Sequence, residues 1–426
     1  MGGKRKRGGG GKGKGKGRDG GDANAAENAG GEEGRVGKRA KAEMQDYWKE
    51  EPGSYTQENA GFEAFYKRQG VCPETEWSAL LESLRSGLPA AIRINGMRLG
   101  ARALKERLAE MSRVCSVDPE REVYAPGQLQ WYQHGLAWHW KALERKTIKK
   151  DARHMKLKDY LAERERRGLI TRQEVVSMLP PLFLEVEPHH LVLDMCAAPG
   201  SKTTQILEMM HWANAAEKKP PPSGLVMANE LQWKRANMLA HQVGRLGSPA
   251  AAVTNMDAHF FPDLWVDGEP FQFDRILCDV PCTGDGTMRK TPYIWKSWTY
   301  RDALAIHIRQ LGILFRGLEL LKVGGRLVYS TCSLNPLEDE AVVAAALLRH
   351  GDSIALCPRP ASLEGVRAAT CLERWVVPSP ADPNVFFESY EDVPKEHRMG
   401  KLRLLPSMFP PVAGEANDAI RASVRD

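Results

Sequence analysis

Two cysteines stand in short loops of small residues that each follow an apolar run: Asp279-Val280-Pro281-Cys282-Thr283-Gly284 and Ser330-Thr331-Cys332-Ser333. A lone free cysteine is most often a buried, inert apolar residue. Two at the ends of adjacent predicted strands, with Asp279 and Lys202 expected beside them, form a different pattern. A lysine ammonium near a thiol raises the thiolate fraction, and the thiolate is the nucleophile. Cytosine carbon 5 has a use for such a group. It is a poor nucleophile toward a methyl sulfonium, and addition of a thiolate at carbon 6 turns the ring into an enamine that can attack the methyl. A carboxyl group that hydrogen-bonds or donates a proton at ring nitrogen 3 stabilises the charge that develops. Loss of the carbon 5 proton then expels the thiolate and restores aromaticity. Methyl transfer to oxygen or an exocyclic nitrogen needs no such thiol. Residue chemistry leaves open which of the two thiols attacks.

A third loop, Asp194-Met195-Cys196-Ala197-Ala198-Pro199-Gly200-Ser201-Lys202, also follows an apolar run and opens a helix. Its small residues suit close backbone approach to a cofactor. It is neither GxGxxG nor GxxxxGK[ST], which disfavours a dinucleotide or a nucleoside triphosphate. Glu230 ends the next predicted strand, where a carboxylate accepts both hydroxyls of a ribose. Asp257 follows the strand after that, in place for an adenine edge. Singly, each acid reads as an ordinary loop or cap carboxylate. At successive strand ends they describe a pocket for an adenosine that carries no phosphate, and S-adenosylmethionine fits, being a cation that tolerates carboxylates.

The elements that must position these loops alternate. Strands are predicted at Leu191–Met195, Leu225–Ala228, Ala250–Thr254, Arg275–Val280 and Gly325–Thr331. Helices are predicted at Thr203–Trp212, residues 232–245, Asp302–Lys322 and Leu337–His350, the third with Leu304, Ile308, Leu311, Phe315 and Leu318 on one stripe. The fold class is therefore α/β, a doubly wound Rossmann-like parallel sheet, with ligands beyond the carboxyl ends of the strands. Upstream, Leu88–Asn95 reads as a turn and short strand and Ala101–Met111 as a helix, within an aromatic-rich stretch that includes Trp48, Tyr55, Phe62, Phe65, Tyr66 and Trp77.

The expected domains are a disordered Gly/Lys/Arg-rich tail (1–43), a smaller α+β RNA-binding domain (44–185) and a catalytic domain (186–426). Of 426 residues, 60 are Lys or Arg and 54 Asp or Glu, a net charge of +6. Residues 1–43 alone hold 12 basic and 6 acidic side chains, so the tail carries the whole excess. Its clusters Lys4–Arg7 and Lys38–Lys41 read equally as a solubilising arm and as an RNA-contacting arm or an address for the nucleus or nucleolus. Within the folded part, residues 141–172 hold 12 basic against 5 acidic side chains, including Lys149, Lys150 and Arg153, and this local excess predicts a phosphate-binding surface. No apolar stretch is long enough to span a membrane, and charge and glycine stand at the N-terminus where a secretory leader needs an apolar stretch, so secretion is not expected. Eight cysteines at irregular spacing, without CxxC, fit free thiols. Cys278 and Cys282 lack a nearby pair to complete four zinc ligands, so no metal is expected.

The stretches LDMCAAPGSKTTQ (193–205), ANE (228–230), FDRILCDVPCTGDGTMRK (273–290) and GGRLVYSTCSLNPLEDEAV (324–342) resemble the NSUN-type RNA cytosine-5 methyltransferases, closest to the eukaryotic multisite tRNA branch. The similarity continues upstream through RQEVVSMLPPLFL (172–184) and from about residue 45. The resemblance implies that Cys332 is the nucleophile, that Cys282 assists product release, that Asp279 holds the cytosine at nitrogen 3 and that Lys202 supports the centre. It implies cofactor contacts at Cys196, Ala197, Ala198, Pro199, Gly200, Ser201, Lys202, Glu230, Asp257 and Asp279. Family members usually carry Asp where Glu230 stands, and Ser where Thr283 stands. They continue beyond residues 408–411 into further strands, so the expectation is either an incomplete C-terminal end of the catalytic domain or a short sheet with an unpaired edge. The reaction expected is S-adenosylmethionine-dependent methylation of RNA, tRNA foremost, at cytosine carbon 5. The target base must first be unstacked. The competing reading is an RNA-binding or assembly protein with a vestigial methyltransferase fold, against which the retention of every chemical group counts. A nicotinamide dehydrogenase is disfavoured, because GxGxxG is absent and the thiols would have no task.

Overall fold

The computed structural model describes residues 56–216 and 220–411. The predicted tail with its clusters Lys4–Arg7 and Lys38–Lys41 lies outside the described residues, as do Trp48 and Tyr55. The described residues from Gln57 onward pack as one unit built on five hydrophobic clusters.

The chain begins with helices α1 (Ala60–Gln69) and α2 (Trp77–Arg85). Asn59 caps α1 by accepting the Phe62 N–H at 2.9 Å, and Gly70 ends it in the left-handed region. An antiparallel sheet follows, built from β1 (Pro89–Ile94), β2 (Gly127–Gln128), β3 (Ala137–Glu144) and β4 (Ile170–Arg172) in the order β2-β3-β1-β4. Helices α3 (Ala101–Ser116), α4 (Arg145–Lys150) and α5 (Met155–Arg166) lie between its strands in the chain, and α6 (Leu179–Phe183) leaves it. Ile92, Leu108, Trp138, Trp140, Leu161 and Met178 share its core. Helices α1 and α2 do not join that core. Phe62, Phe65, Tyr66, Trp77 and Leu81 pack with Trp295, Trp375, Val377 and Met408 from much later in the chain.

The second sheet is parallel and five-stranded: β5 (Leu191–Asp194), β6 (Leu225–Asn229), β7 (Ala251–Thr254), then, beyond the small hairpin β8 (Leu264–Val266) and β9 (Glu269–Phe271), β10 (Phe273–Asp279) and β11 (Leu321–Ser330). Its order is β11-β10-β5-β6-β7, with every pairing parallel. This is the doubly wound sheet that the alternation predicts. Consecutive residues face opposite sides. Val192 and Leu277 meet α7 (Ser201–Ala216) and α8 (Trp233–Gly244) through Ile206, Leu207 and Leu239. Leu193 and Ile276 meet α10 (Tyr300–Leu320) through Ile313 and Leu320. The short α9 (Ile294–Ser297) precedes α10, and α11 (Glu340–His350) follows β11. The predicted stripe on α10 is only partly the buried one, since Leu304 and Leu311 are buried while Ile308 is exposed. The helix is packed on more than one side, so Ala303, His307, Gln310 and Leu314 are buried as well. Among the described residues β11 pairs with β10 alone. Antiparallel β12 (Val377–Pro378) and β13 (Phe386–Phe387) form a separate ribbon.

Register fixes what gathers at the carboxyl edge of this sheet. Asp194 lies beside Leu277 and Ala228, Asn229 beside Thr254, and Asp279 beside Ser330. The loops after β5, β10 and β11 therefore leave the sheet side by side.

Candidate active site

Cys282 leaves the sheet three residues after Asp279, and Cys332 two residues after Ser330. Their sulfurs lie 3.2 Å apart, and the Cys332 N–H approaches the Cys282 sulfur at 3.3 Å. Two glycines allow this approach. Gly284 adopts φ 72°, and a Cβ on Gly286 would stand 2.8 Å from the Cys332 carbonyl oxygen, which accepts the Gly286 N–H at 3.0 Å.

The two thiols differ electrostatically. The hydrogen bond from Cys282 pulls the Cys332 thiol below its ordinary range, with Lys202 acting in the same direction and burial and Asp279 opposing. The same hydrogen bond, together with burial, pushes the Cys282 thiol up. Cys332 is exposed and Cys282 is half-buried, so the hydrogen bond and the exposure both favour the charged form at Cys332 over Cys282. Cys196, at the end of β5, is pushed up by burial and by the carboxylates of Asp194, Asp279 and Glu230, which leaves it a thiol.

Asp279 is held from both sides. Lys202 Nζ donates to one oxygen at 2.7 Å and Ser330 Oγ to the other at 2.8 Å. The sequence-predicted catalytic group Cys332, Cys282, Asp279 and Lys202 thus comes together in one place.

The cofactor residues also converge. Ala197 and Ala198 are buried, and the turn at Gly200 has φ 106° before α7 begins at Ser201. Glu230 is buried; its Oε1 accepts the Gln232 N–H at 2.9 Å, and its Oε2 lies 3.5 Å from Arg235, whose guanidinium also donates to the Ala198 carbonyl at 2.6 Å. Asp257 accepts the His259 N–H at 3.0 Å and pairs with Arg309 at 3.0 Å. A carboxylate offers about four lone-pair sites, so Glu230 and Asp257 keep capacity for further donors. Burial pushes the Asp194 carboxyl up to about 7, Thr203 donates to one of its oxygens at 2.6 Å, and the other is an orphaned buried acceptor at the base of this loop. Carboxylates over a small-residue loop, without a phosphate cradle, are the donor set that S-adenosylmethionine requires, and these residues fit it.

Sequence reasoning passed over several residues that build the site. Asn229 bridges three strand ends: its Nδ2 donates to the carbonyls of Met195 (3.1 Å) and Met256 (2.9 Å), and its Oδ1 accepts from Thr254 (2.9 Å) and the Met256 N–H (3.0 Å). Ser330, Arg309, Asp285 and Glu338 were passed over as well. Asn229, Asp285, Ser330 and Glu338 fall inside the motif stretches, which was the available signal. The residues expected to contact RNA belong to a different region. Lys149 and Lys150 stand at the end of α4, which packs on β1 and β3. Arg153 donates to Asp151 in a close ion pair that partly neutralises it. Among the described residues, Glu187, His189 and His190 have metal-ligand spacing; they precede β5 and so lie at the sheet's opposite edge.

Fold and site together define a Rossmann-like methyltransferase domain with a two-thiol centre. Residues 181–390 match the family described as 16S rRNA methyltransferase RsmB/F. The chain is 43% identical over 352 residues to a multisite-specific tRNA:(cytosine-C(5))-methyltransferase of Saccharomyces cerevisiae, covering 80% of this chain and 50% of that protein. It is 39% identical over 377 residues to a tRNA (cytosine(34)-C(5))-methyltransferase of Drosophila melanogaster, covering 84% and 49%. The chain thus spans about half the length of the curated relatives it matches. Among solved structures, a methyltransferase homologue from Pyrococcus horikoshii superposes with TM-score 0.52 at 26% identity, covering 72% of this chain and 83% of that one. NSun6 from the same organism, solved with SFG, shares the fold with TM-score 0.52 at 20% identity, covering 70% and 91%. The chain belongs to the RNA cytosine-5 methyltransferase family of the RsmB/F type.

Proposed function

We propose that this protein methylates carbon 5 of cytosine in RNA, tRNA foremost, with S-adenosylmethionine as the donor and through a covalent Cys332–cytosine intermediate. One observation carries the reading: two thiols 3.2 Å apart, one with its pKa lowered and one raised, beside a Lys202–Asp279 pair. The Cys332 thiolate adds to carbon 6 of an unstacked cytosine. Asp279, its plane fixed by Lys202 and Ser330, faces the nitrogen 3 edge; that nitrogen grows basic during addition and takes a proton from water, and the Asp279 carboxylate accepts the resulting N–H in a hydrogen bond. S-adenosylmethionine supplies an electrophilic methyl group when bound, held by residues 196–202, Glu230 and Asp257. Carbon 5 then gives its proton to water, the C–H electrons form the carbon 5–carbon 6 double bond, and the Cys332 sulfur leaves with the electrons of its bond to carbon 6, stabilised by the hydrogen bond from the Cys282 thiol 3.2 Å away. The relatives in yeast and fly carry names that specify tRNA, which supports tRNA over other RNA here.

The test is transfer of labelled methyl from the donor to tRNA by the wild type and by Cys332→Ala. Activity is expected to vanish in the variant, and retained activity contradicts the nucleophile assignment. Measured donor binding separates this reading from an RNA-binding protein with a vestigial fold, which would hold RNA and not the donor.

The region upstream of residue 186 serves, in the same proposal, as the RNA-binding domain, with Lys149, Lys150 and Arg153 on its contact surface. The basic clusters at 4–7 and 38–41 address the protein to the nucleus. Deletion of residues 1–43 from a fluorescent fusion should then shift it to the cytoplasm, and unchanged nuclear signal contradicts that role.

A further inference from the structure

Two buried carboxylates lie beside the thiol loops without touching either sulfur. Asp285 and Glu338 are both fully buried. Asp285 belongs to the Cys282 loop and reaches across to the Cys332 loop. Its Oδ1 accepts the Leu334 N–H at 2.8 Å and lies 3.2 Å from the Ser333 hydroxyl oxygen, while its Oδ2 accepts the Trp298 indole N–H at 3.0 Å and the Tyr66 hydroxyl. Glu338, just before α11, grips both loops from outside. Its Oε2 accepts the Thr283 N–H at 2.9 Å and Gln310 Nε2 at 3.0 Å, and its Oε1 accepts the hydroxyls of Thr283 at 2.5 Å and Ser333 at 2.7 Å. Thr283 follows Cys282 and Ser333 follows Cys332, so each clamp acts on a residue adjacent to a thiol. These donors are neutral. A buried carboxylate held by neutral donors is a costly way to stabilise a loop, because its charge must be desolvated without a cation to offset it.

We propose that Asp285 and Glu338 are positioning residues that hold the Cys282 and Cys332 loops at the separation where one thiol hydrogen-bonds the other. The proposal rests on reading the two thiols as the reaction centre. It extends to the N-terminal helix, since Tyr66 of α1 is one of the groups that fix Asp285.

The hydrogen-bond geometry makes the two residues respond differently to the same loss of charge. In Glu338→Gln the amide oxygen can take the place of Oε2, toward the fixed donors Thr283 N–H and Gln310. The amide NH2 then meets two hydroxyls, which rotate and accept. In Asp285→Asn no orientation works. Each oxygen of Asp285 receives an N–H that cannot rotate, from Leu334 on one side and Trp298 on the other, so the amide NH2 must face an N–H. The structure thus separates a tolerated variant from a disruptive one at two carboxylates of equal burial.

The test is site-resolved alkylation of Cys332 by iodoacetamide across pH, read by mass spectrometry on the full chain without RNA or methyl donor. Because neither substrate is present, failure of the RNA reading cannot imitate failure of this one. Wild type and Glu338→Gln should share one alkylation midpoint. Asp285→Asn and Glu338→Ala should raise the midpoint and slow neutral-pH alkylation by roughly tenfold or more, since displaced loops lose the thiol–thiol hydrogen bond. A residue that only stabilises the fold would lower the melting temperature and leave the midpoint of the folded protein unchanged. A folded Asp285→Asn with the wild-type midpoint overturns the proposal, as does Glu338→Gln shifted as far as Glu338→Ala. If Asp285→Asn does not fold, the Glu338→Ala and Glu338→Gln comparison decides alone.

Discussion

Neutralising Glu208 should be among the most damaging single changes in the fold. Arg93 of β1 is fully buried and reaches out of the antiparallel sheet to α7 of the parallel one. Its Nε meets Glu208 Oε2 at 2.7 Å and its Nη2 meets Oε1 at 3.0 Å, a two-pronged pair, with further bonds to Thr204 Oγ1 at 3.2 Å and the Ser201 carbonyl at 3.4 Å. Glu208→Gln keeps the shape but sets an NH2 against a guanidinium N–H and leaves a buried cation without its counter-ion. Breaking one side of such a pair costs about 3–5 kcal/mol. At roughly 2 °C per kcal/mol for a folded unit of this size, the melting temperature should fall by about 6–10 °C. Replacing both partners with leucine removes the unpaired charge and should return stability to within about 2 kcal/mol of the wild type, because the desolvation cost disappears with the attraction. Urea unfolding of wild type, Glu208→Gln and the Arg93→Leu/Glu208→Leu double variant measures all three. The single variant within about 1 kcal/mol of wild type, or the double variant no better than the single, refutes the reasoning.

Three further outcomes follow from particular residues. His307 is buried between the Leu337 carbonyl (2.6 Å) and Ser407 Oγ (3.0 Å), and burial pushes its pKa down to about 4. The unfolded chain takes up this proton from about pH 6.5 downward while the native state refuses it, so acidification to about pH 4 should remove about 3 kcal/mol of stability. Below that pH both states are protonated and the effect levels off; His307→Gln should lack this component, which denaturation at a series of pH values will reveal. Gly286→Ala puts a Cβ 2.8 Å from the Cys332 carbonyl oxygen and should slow single-turnover methyl transfer by roughly a hundredfold with donor affinity retained. Charge reversal at Lys149 and Lys150 should weaken RNA binding and flatten its salt dependence by about one unit of slope per lost phosphate contact, as titrations at several salt concentrations will show. Reversal at Arg153 should do less, because Asp151 already partners it.

The parallel sheet was legible because its strands are short apolar runs separated by helix-length segments, a pattern that local sequence carries on its own. The thiol loops, Lys202 and the acids at the strand ends were legible for a related reason: their positions follow from where those runs stop. The antiparallel sheet was less so. The strand β3 holds Trp138 and Trp140 as core residues, and their local sequence alone does not show it. Its place depends on pairing with β1, whose residues Ile92 and Ala90 lie opposite Trp138 and Trp140. Arg93 gave no local sign of a partner 115 residues away. Nor did α1 reveal that it packs against Trp295 and Trp298 rather than its neighbours in sequence. Nothing in the local sequence sets Asp285 or Glu338 apart from other acids. Their work across the thiol loops depends on the register that sets Asp279 beside Ser330.

The central claim is that Cys332 bonds to cytosine and Cys282 is needed to let it go. The most direct measurement is denaturing electrophoresis of the protein after incubation with tRNA and the methyl donor. Cys282→Ala should accumulate a slower band that survives denaturation and disappears on ribonuclease treatment, and adding Cys332→Ala to it should abolish the band. No retained band in Cys282→Ala, or a band that persists without Cys332, contradicts the account.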